Sequence, residues 1–322
     1  MNCRYTAVKK IIQGMLTIMA VLAGISFSVS AGELGHYMPG VRNVRDFIVP
    51  DPGFYYLQYN IYYTSNTYKD RNGKEVSSIG PIKFESQVDS YAVAPVFLWS
   101  SSQKILGASY AAFAQPAIVN TSYTLAALGG GIDESQWGFG DLYLKPIWLG
   151  WNNIHTSVAI GYGIYAPTGE YSDGAVDNTG LGFLTHEFQA SLTVFPWEHK
   201  GTAVMVSGTY EIHHDKDGAD ITPGDRFSLD YGISQYIPVN KEETLIAELG
   251  LSGYSQWQVD NDSGRDVHPL LNVKDEVHAL GGQLGLSYVP WNASVSFRYL
   301  KEYDAEARYE GELFSLSFAK GF

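Results

Sequence analysis

From Gly311 to Phe322 the chain alternates oily side chains with small or polar ones, one residue at a time, up to an aromatic end. Phe314, Leu316, Phe318 and Phe322 share one parity, and Ser315, Ser317, Ala319 and Gly321 share the other. Successive side chains of a strand point to opposite faces, so this pattern predicts a strand with one greasy and one polar face. Lys320 interrupts the greasy row close to the end, where its long stem lets the ammonium reach a membrane surface. A strand of this kind is expected to close an outer-membrane barrel and to be the part that barrel-assembly machinery binds, through Phe322.

The same two-residue period recurs along the chain. Candidate strands lie near 54–63, 82–98, 105–118, 139–148, 154–165, 184–194, 202–213, 226–236, 244–257, 277–288, 293–302 and 309–322. Their connections come in two kinds. Short turns are expected at 99–103, 149–153, 196–201, 237–242 and 289–292, and longer loops at 64–81, 119–138, 166–183, 214–225 and 258–276. The two kinds alternate, as they do in a barrel with short periplasmic turns and longer outer loops. Trp99, Trp148, Trp151, Trp197 and Trp291 fall at the short-turn end, the level where indole rings favour a membrane interface. The expected fold is therefore all-β: a transmembrane antiparallel β-barrel of about twelve strands, an even number with both ends on one side.

Residues 1–31 read as a signal peptide: Arg4, Lys9 and Lys10, then an apolar run, then Val29-Ser30-Ala31 before the cleavage point. Residues 32–52 read as a periplasmic N-terminal segment broken at Pro39-Gly40 and Pro50-Asp51-Pro52, and 53–322 as the barrel. Cys3, the one cysteine, belongs to the leader, so no disulfide or lipid anchor is expected. Lys and Arg total 21 against 34 Asp and Glu, a balance that argues against a nucleic-acid partner. Acidic outer loops suit a surface of lipid and lipopolysaccharide bearing divalent cations.

In the stretch 154–165, Ile154, Val158, Ile160, Tyr162 and Ile164 oppose His155, Ser157, Ala159, Gly161 and Gly163. With no helices to cover it, the greasy face should meet lipid, where a charge costs about 2–4 kcal/mol at mid-depth. The charged residues of the other parity are then expected inside. They are Lys83, Glu85 and Asp89; Asp141 and Lys145; Glu187 and Glu211; Arg226 and Asp230; and Glu248, Arg298 and Glu302. They either lock together as a rigid filling or line a polar route and gate. A barrel of this size lies between the filled eight-stranded kind and the aqueous porin, so a narrow lumen is expected. Tyr62, Tyr63, Tyr68, Trp137 and Trp257 are candidates for capturing an aromatic solute at the outer end.

No catalytic residue, metal or cofactor is expected. His186 lies on the lipid parity without a nucleophile beside it. His213-His214-Asp215 could bind a metal, but strand-end neighbours point to opposite faces, which favours a solvated loop edge. Asp215-Lys216-Asp217-Gly218 and Asp260-Asn261-Asp262-Ser263-Gly264 lack the spacing and terminal Glu of a calcium loop.

Gly35-His36-Tyr37-Met38-Pro39-Gly40, Arg45-Asp46-Phe47 and Pro50-Asp51-Pro52-Gly53-Phe54-Tyr55 resemble the start of the meta-pathway phenol-degradation family. Lys69-Asp70-Arg71-Asn72-Gly73, Gly140-Asp141 and Pro167-Thr168-Gly169-Glu170 are similar to it as well. The resemblance implies an outer-membrane barrel with an uptake role for aromatic or other hydrophobic compounds, and it carries over no catalytic residues. His36, Tyr37, Arg45, Asp46 and Phe47 mix aromatic and ionic groups between prolines, a composition suited to a plug docked in the lumen. The expected function is passive uptake of such compounds through a narrow gated lumen. An enzyme acting on envelope lipids and a structural or adhesion barrel remain the alternatives.

Overall fold

The computed structural model describes residues 34–79, 81–127, 130–269 and 272–322. The expected signal peptide at 1–31 lies outside the described residues.

The strands are β1 (Gly53–Ser65), β2 (Ser78–Ile79), β3 (Ile82–Ile105), β4 (Ala108–Gln115), β5 (Ile118–Ala127), β6 (Gly130–Phe139), β7 (Leu142–Asn152) and β8 (Thr156–Ala166). They continue as β9 (Thr185–Val194), β10 (Thr202–His213), β11 (Arg226–Pro238), β12 (Leu245–Gln258), β13 (Glu276–Tyr288), β14 (Ala293–Glu306) and β15 (Glu312–Gly321). Neighbours pair antiparallel in chain order, and β1 closes the ring by pairing with both β15 and β3. β4 and β5 are one barrel strand interrupted at Pro116-Ala117. β6 and β7 are another, interrupted at Gly140-Asp141. With β2 a stub on β3, the barrel has twelve strands.

Oily rows look outward over most of the wall. Val204, Val206, Leu249, Leu251, Leu284 and Leu286 are exposed, while Ala203, Met205, Ser207, Ser252 and Gln283 between them are buried. Exposed hydrocarbon on every strand is stable only against lipid tails, so the outer wall is a membrane-spanning surface.

Several sequence expectations fail in detail. The turn expected at 99–103 lies inside β3, and the chain reverses at Leu106-Gly107, both with positive φ (53° and 79°) as a two-residue hairpin turn requires. The loop expected at 119–138 is mostly the hairpin β5–β6. Its outward row includes Asn120, Ser122 and Thr124, so little greasy alternation was there to read. Trp148 is not at the interface: the register slips between Leu144 and Ile147, and this bulge turns Trp148 inward against Phe113. On β1 it is the oily row that looks inward, with Tyr59 and Ile61 buried. The N-terminal segment provides the cover there, through Val41 and Val49 in the same apolar cluster.

Candidate functional site: the crossed lumen

Residues 34–52 run through the barrel interior from its outer end to its periplasmic end. His36 sits beside Thr185 and Glu211, near the outer ends of β9 and β10. Arg45 donates to the Lys200 and Gly201 carbonyls, at the β9–β10 turn. Ser100 donates to the Pro50 carbonyl at 2.9 Å where the segment leaves.

Carboxylates on the inner wall hold the leading part by its backbone. Glu211 Oε1 accepts the amides of His36 (2.8 Å) and Tyr37 (2.7 Å). Asp230 accepts the Tyr37 hydroxyl and the Gly40 amide, each at 2.7 Å. Arg298 donates to the Gly40 carbonyl at 2.8 Å, to Gln283 at 2.6 Å and to the Arg42 carbonyl. The bonds to the His36, Tyr37 and Gly40 amides and to the Gly40 and Arg42 carbonyls satisfy buried main-chain groups that have no strand partner. Two glycines make this fit. A Cβ on Gly35 would lie 2.6 Å from Glu211 Oε2, and Gly40 has φ +80° with Leu300 and Tyr254 against it.

The trailing part is held by burial. Val44, Phe47 and Val49 are essentially inaccessible, and Phe47 packs with Phe195, Ala203 and Met205. Asp46 accepts the Tyr59 hydroxyl at 3.0 Å, and Arg45 lies 3.5 Å from Glu248 with its guanidinium 3.6 Å above the Tyr236 ring.

The remaining inward charges pair with one another. Lys145 donates to Glu187 at 2.9 Å, and Tyr143 donates to the same carboxylate at 2.6 Å. Glu302 accepts the hydroxyls of Tyr254 (2.6 Å) and Tyr63 (2.8 Å). At the outer end Asp275 joins Arg226 and Arg308, the latter at 3.0 Å. Burial alone would push the Asp275 carboxyl up, but the two guanidiniums more than reverse this and hold it below the usual carboxylate range.

Asp141, Lys145, Glu187, Glu211, Arg226, Asp230, Glu248, Arg298 and Glu302 thus all lie on the inner side, close to one another or to the segment. Lys83, Glu85 and Asp89 do not. Ser86, Ala94, Val96 and Leu98 carry the buried parity of β3, so these three charges face outward. They are tolerated because this end of β3 runs past the end of β1 at Val88, and because Asp89 accepts the Tyr62 hydroxyl at 2.9 Å. The aromatic candidates also divide. Tyr62, Trp137 and Trp257 face outward in rings of contacts such as Tyr91–Trp137 and Phe227–Trp257, the pattern of an interfacial belt. Tyr63 faces Glu302 inside, and Tyr68 packs on Tyr309 at the mouth.

Sequence reasoning missed Arg42, Asp275, Arg308 and Thr185, and it set His213 aside as a loop edge. The first three lie outside the barrel strands, where alternation gives no signal.

One stretch of wall departs from strand pairing. β8 follows β7 only up to Ala166 opposite Leu142, and beyond that point β6 pairs with β5 alone among the described strands. The free side of β6 is met by the 167–183 loop: Glu170 N donates to the Phe139 carbonyl at 3.1 Å, and Thr179 Oγ1 to the same oxygen at 3.0 Å. Asp141 stands at this seam and accepts His36 Nε2 at 2.9 Å and the amides of Gly169 and Leu181.

The family model described as "Putative MetA-pathway of phenol degradation" matches residues 65–318. No curated protein matches the sequence. Among solved structures, the COG4313 outer membrane channel from Pseudomonas putida F1 is similar with TM-score 0.63 and 16% identity, covering 89% of this chain and 100% of that one. The transport unit of the autotransporter AIDA-I from Escherichia coli has TM-score 0.46 and 7% identity, covering 88% and 93%. A Pseudomonas aeruginosa FadL homologue has TM-score 0.38 and 10% identity, covering 91% and 96%. The likeness to the Pseudomonas putida channel is one of fold. With the oily outer wall, it identifies an outer-membrane barrel, in contact with lipid and located in the bacterial outer membrane.

Proposed function

We propose that this chain, which belongs to the family described as "Putative MetA-pathway of phenol degradation", is an outer-membrane channel for passive uptake of small hydrophobic or aromatic compounds. The observation that carries the reading is the segment 34–52 crossing the lumen beside a wall seam that strands do not close. A filled lumen disfavours general diffusion of water-soluble solutes. A greasy solute instead enters past the mouth aromatics Tyr63 and Tyr68 and leaves sideways at the β6 seam into lipid. The Gly35–Gly40 stretch acts as the gate, because directional polar bonds to Glu211, Asp230 and Arg298 hold it and water can replace those bonds. Membership of the family supports the substrate class, and the lumen charges orient the gate rather than select an ion.

The test is accumulation of a radiolabelled aromatic solute by cells with and without the protein, beside a sugar of similar size. The reading predicts faster entry of the aromatic solute alone. Equal entry of both solutes in both strains would make the barrel structural.

A further inference from the structure

Glu211 and His213 stand two positions apart on β10 and so share its inner face. His36 faces them from the N-terminal segment, and one ligand atom from each of the three lies within 4.8 Å of the others. This corrects the expectation of a solvated edge at 213: His213 is 5% exposed, and only His214 turns outward.

The protons around the cluster can be placed from its hydrogen bonds. Asp141 accepts the amides of Gly169 (2.8 Å) and Leu181 (2.7 Å), as a carboxylate does. His36 Nε2, 2.9 Å from it, is therefore the donor. In neutral His36 the other nitrogen, Nδ1, is a lone pair and accepts the Thr185 hydroxyl at 2.7 Å. That hydroxyl has one proton. Its second contact, at 2.8 Å with His213 Nδ1, must therefore run the other way, with His213 donating. His213 Nε2 is left as a lone pair. It has no hydrogen-bond partner among the described residues, and neither has Glu211 Oε2. The cluster thus holds two buried side-chain atoms without a hydrogen-bond partner, an arrangement a cation relieves.

We propose that His36, Glu211 and His213 bind a late first-row divalent cation of the zinc class, which ties the N-terminal segment to β10. Two imidazoles and one carboxylate are donors such ions prefer, with bonds of about 2.0–2.2 Å. His36 exchanges Thr185 for the ion at Nδ1 and keeps Asp141 at Nε2–H, the arrangement in which a carboxylate fixes a ligating imidazole. Bound there, the ion holds the gate shut. That consequence rests on the gating reading above, whereas the site itself does not.

Chelator-stripped full-length protein in detergent is titrated with Zn²⁺ against a chromophoric chelator. His186 and His214, whose Nε2 atoms lie 3.1 Å apart on the outward face, are the competing location. One zinc per chain is expected in the unaltered protein and in the His186→Ala, His214→Ala double variant. Affinity should fall by more than the roughly ten- to hundredfold that losing an outer-shell partner costs in each of Glu211→Gln, His213→Gln and His36→Gln. His36→Gln leaves the barrel wall untouched, so it decides the matter if a wall variant does not fold. Full binding by His36→Gln, or loss of binding in the double variant, overturns the site. Zinc should also slow solute flux in the unaltered protein but not in His36→Gln. Stoichiometric zinc without that slowing overturns the gating consequence and leaves the site standing.

Discussion

Two stretches of the N-terminal segment are held in opposite ways. From Val41 to Val49 the chain is anchored by buried Val44, Phe47 and Val49, with Arg45 stacked on Tyr236. From Gly35 to Gly40 it is anchored by main-chain bonds to Glu211, Asp230 and Arg298. Burial is non-directional and contributes about 1.5–3 kcal/mol for each large side chain. A hydrogen bond to a charged group contributes about 1.5–3 kcal/mol, but only in one geometry, and it is readily exchanged for water. The first stretch behaves as an anchor and the second as a latch.

The largest expected effect is on the anchor. Phe47→Ala should cost about 3–5 kcal/mol by leaving a cavity, lowering the unfolding midpoint in detergent. A change under about 1 kcal/mol would mean that the trailing part does not pack in the barrel. Next comes the latch. Asp230→Ala leaves the Gly40 amide and the Tyr37 hydroxyl unpaired, at about 1–3 kcal/mol, and should raise aromatic solute flux while the barrel still melts cooperatively. Unchanged flux would erase the distinction between anchor and latch.

A smaller effect concerns the outer end. Asp275 titrates below its unfolded value, so its contribution is fully present above the unfolded carboxylate range and is lost as pH falls through the depressed folded value. Thermal scans across acidic pH should therefore show the melting temperature falling, and Asp275→Asn should flatten that fall. The smallest effect is at Glu85. Because it is exposed and faces outward, Glu85→Ala should stay within about 0.5 kcal/mol of the parent and leave flux alone. Substantial destabilisation there would restore the inward placement first expected for it.

The fold was legible because lipid and lumen impose opposite demands on alternate residues. Val204 and Val206 against Met205 and Ser207 show that contrast along β10. It failed where one demand was lifted. Lys83 and Glu85 lie beyond the β1 end and Asp89 just inside it, opposite Thr64, so the outward row of β3 is charged here and parity no longer marks the inside. On β1 the segment covers the inner wall, so Tyr59 and Ile61 face inward although oily. At Trp148 a bulge reversed the count. The site was half legible. Charges on regular strands, such as Lys145 and Glu187, follow from alternation, whereas Asp275 and Arg308 come from outside the barrel strands, and which residues lie beside His36 depends on how the chain closes.

The most direct test is solute flux into vesicles carrying the protein with residues 35–40 deleted, alongside intact protein of equal melting temperature. The account predicts that the deleted form passes an aromatic solute faster, with its barrel unchanged. Flux equal to that of the intact protein would show that the segment neither closes the lumen nor governs passage.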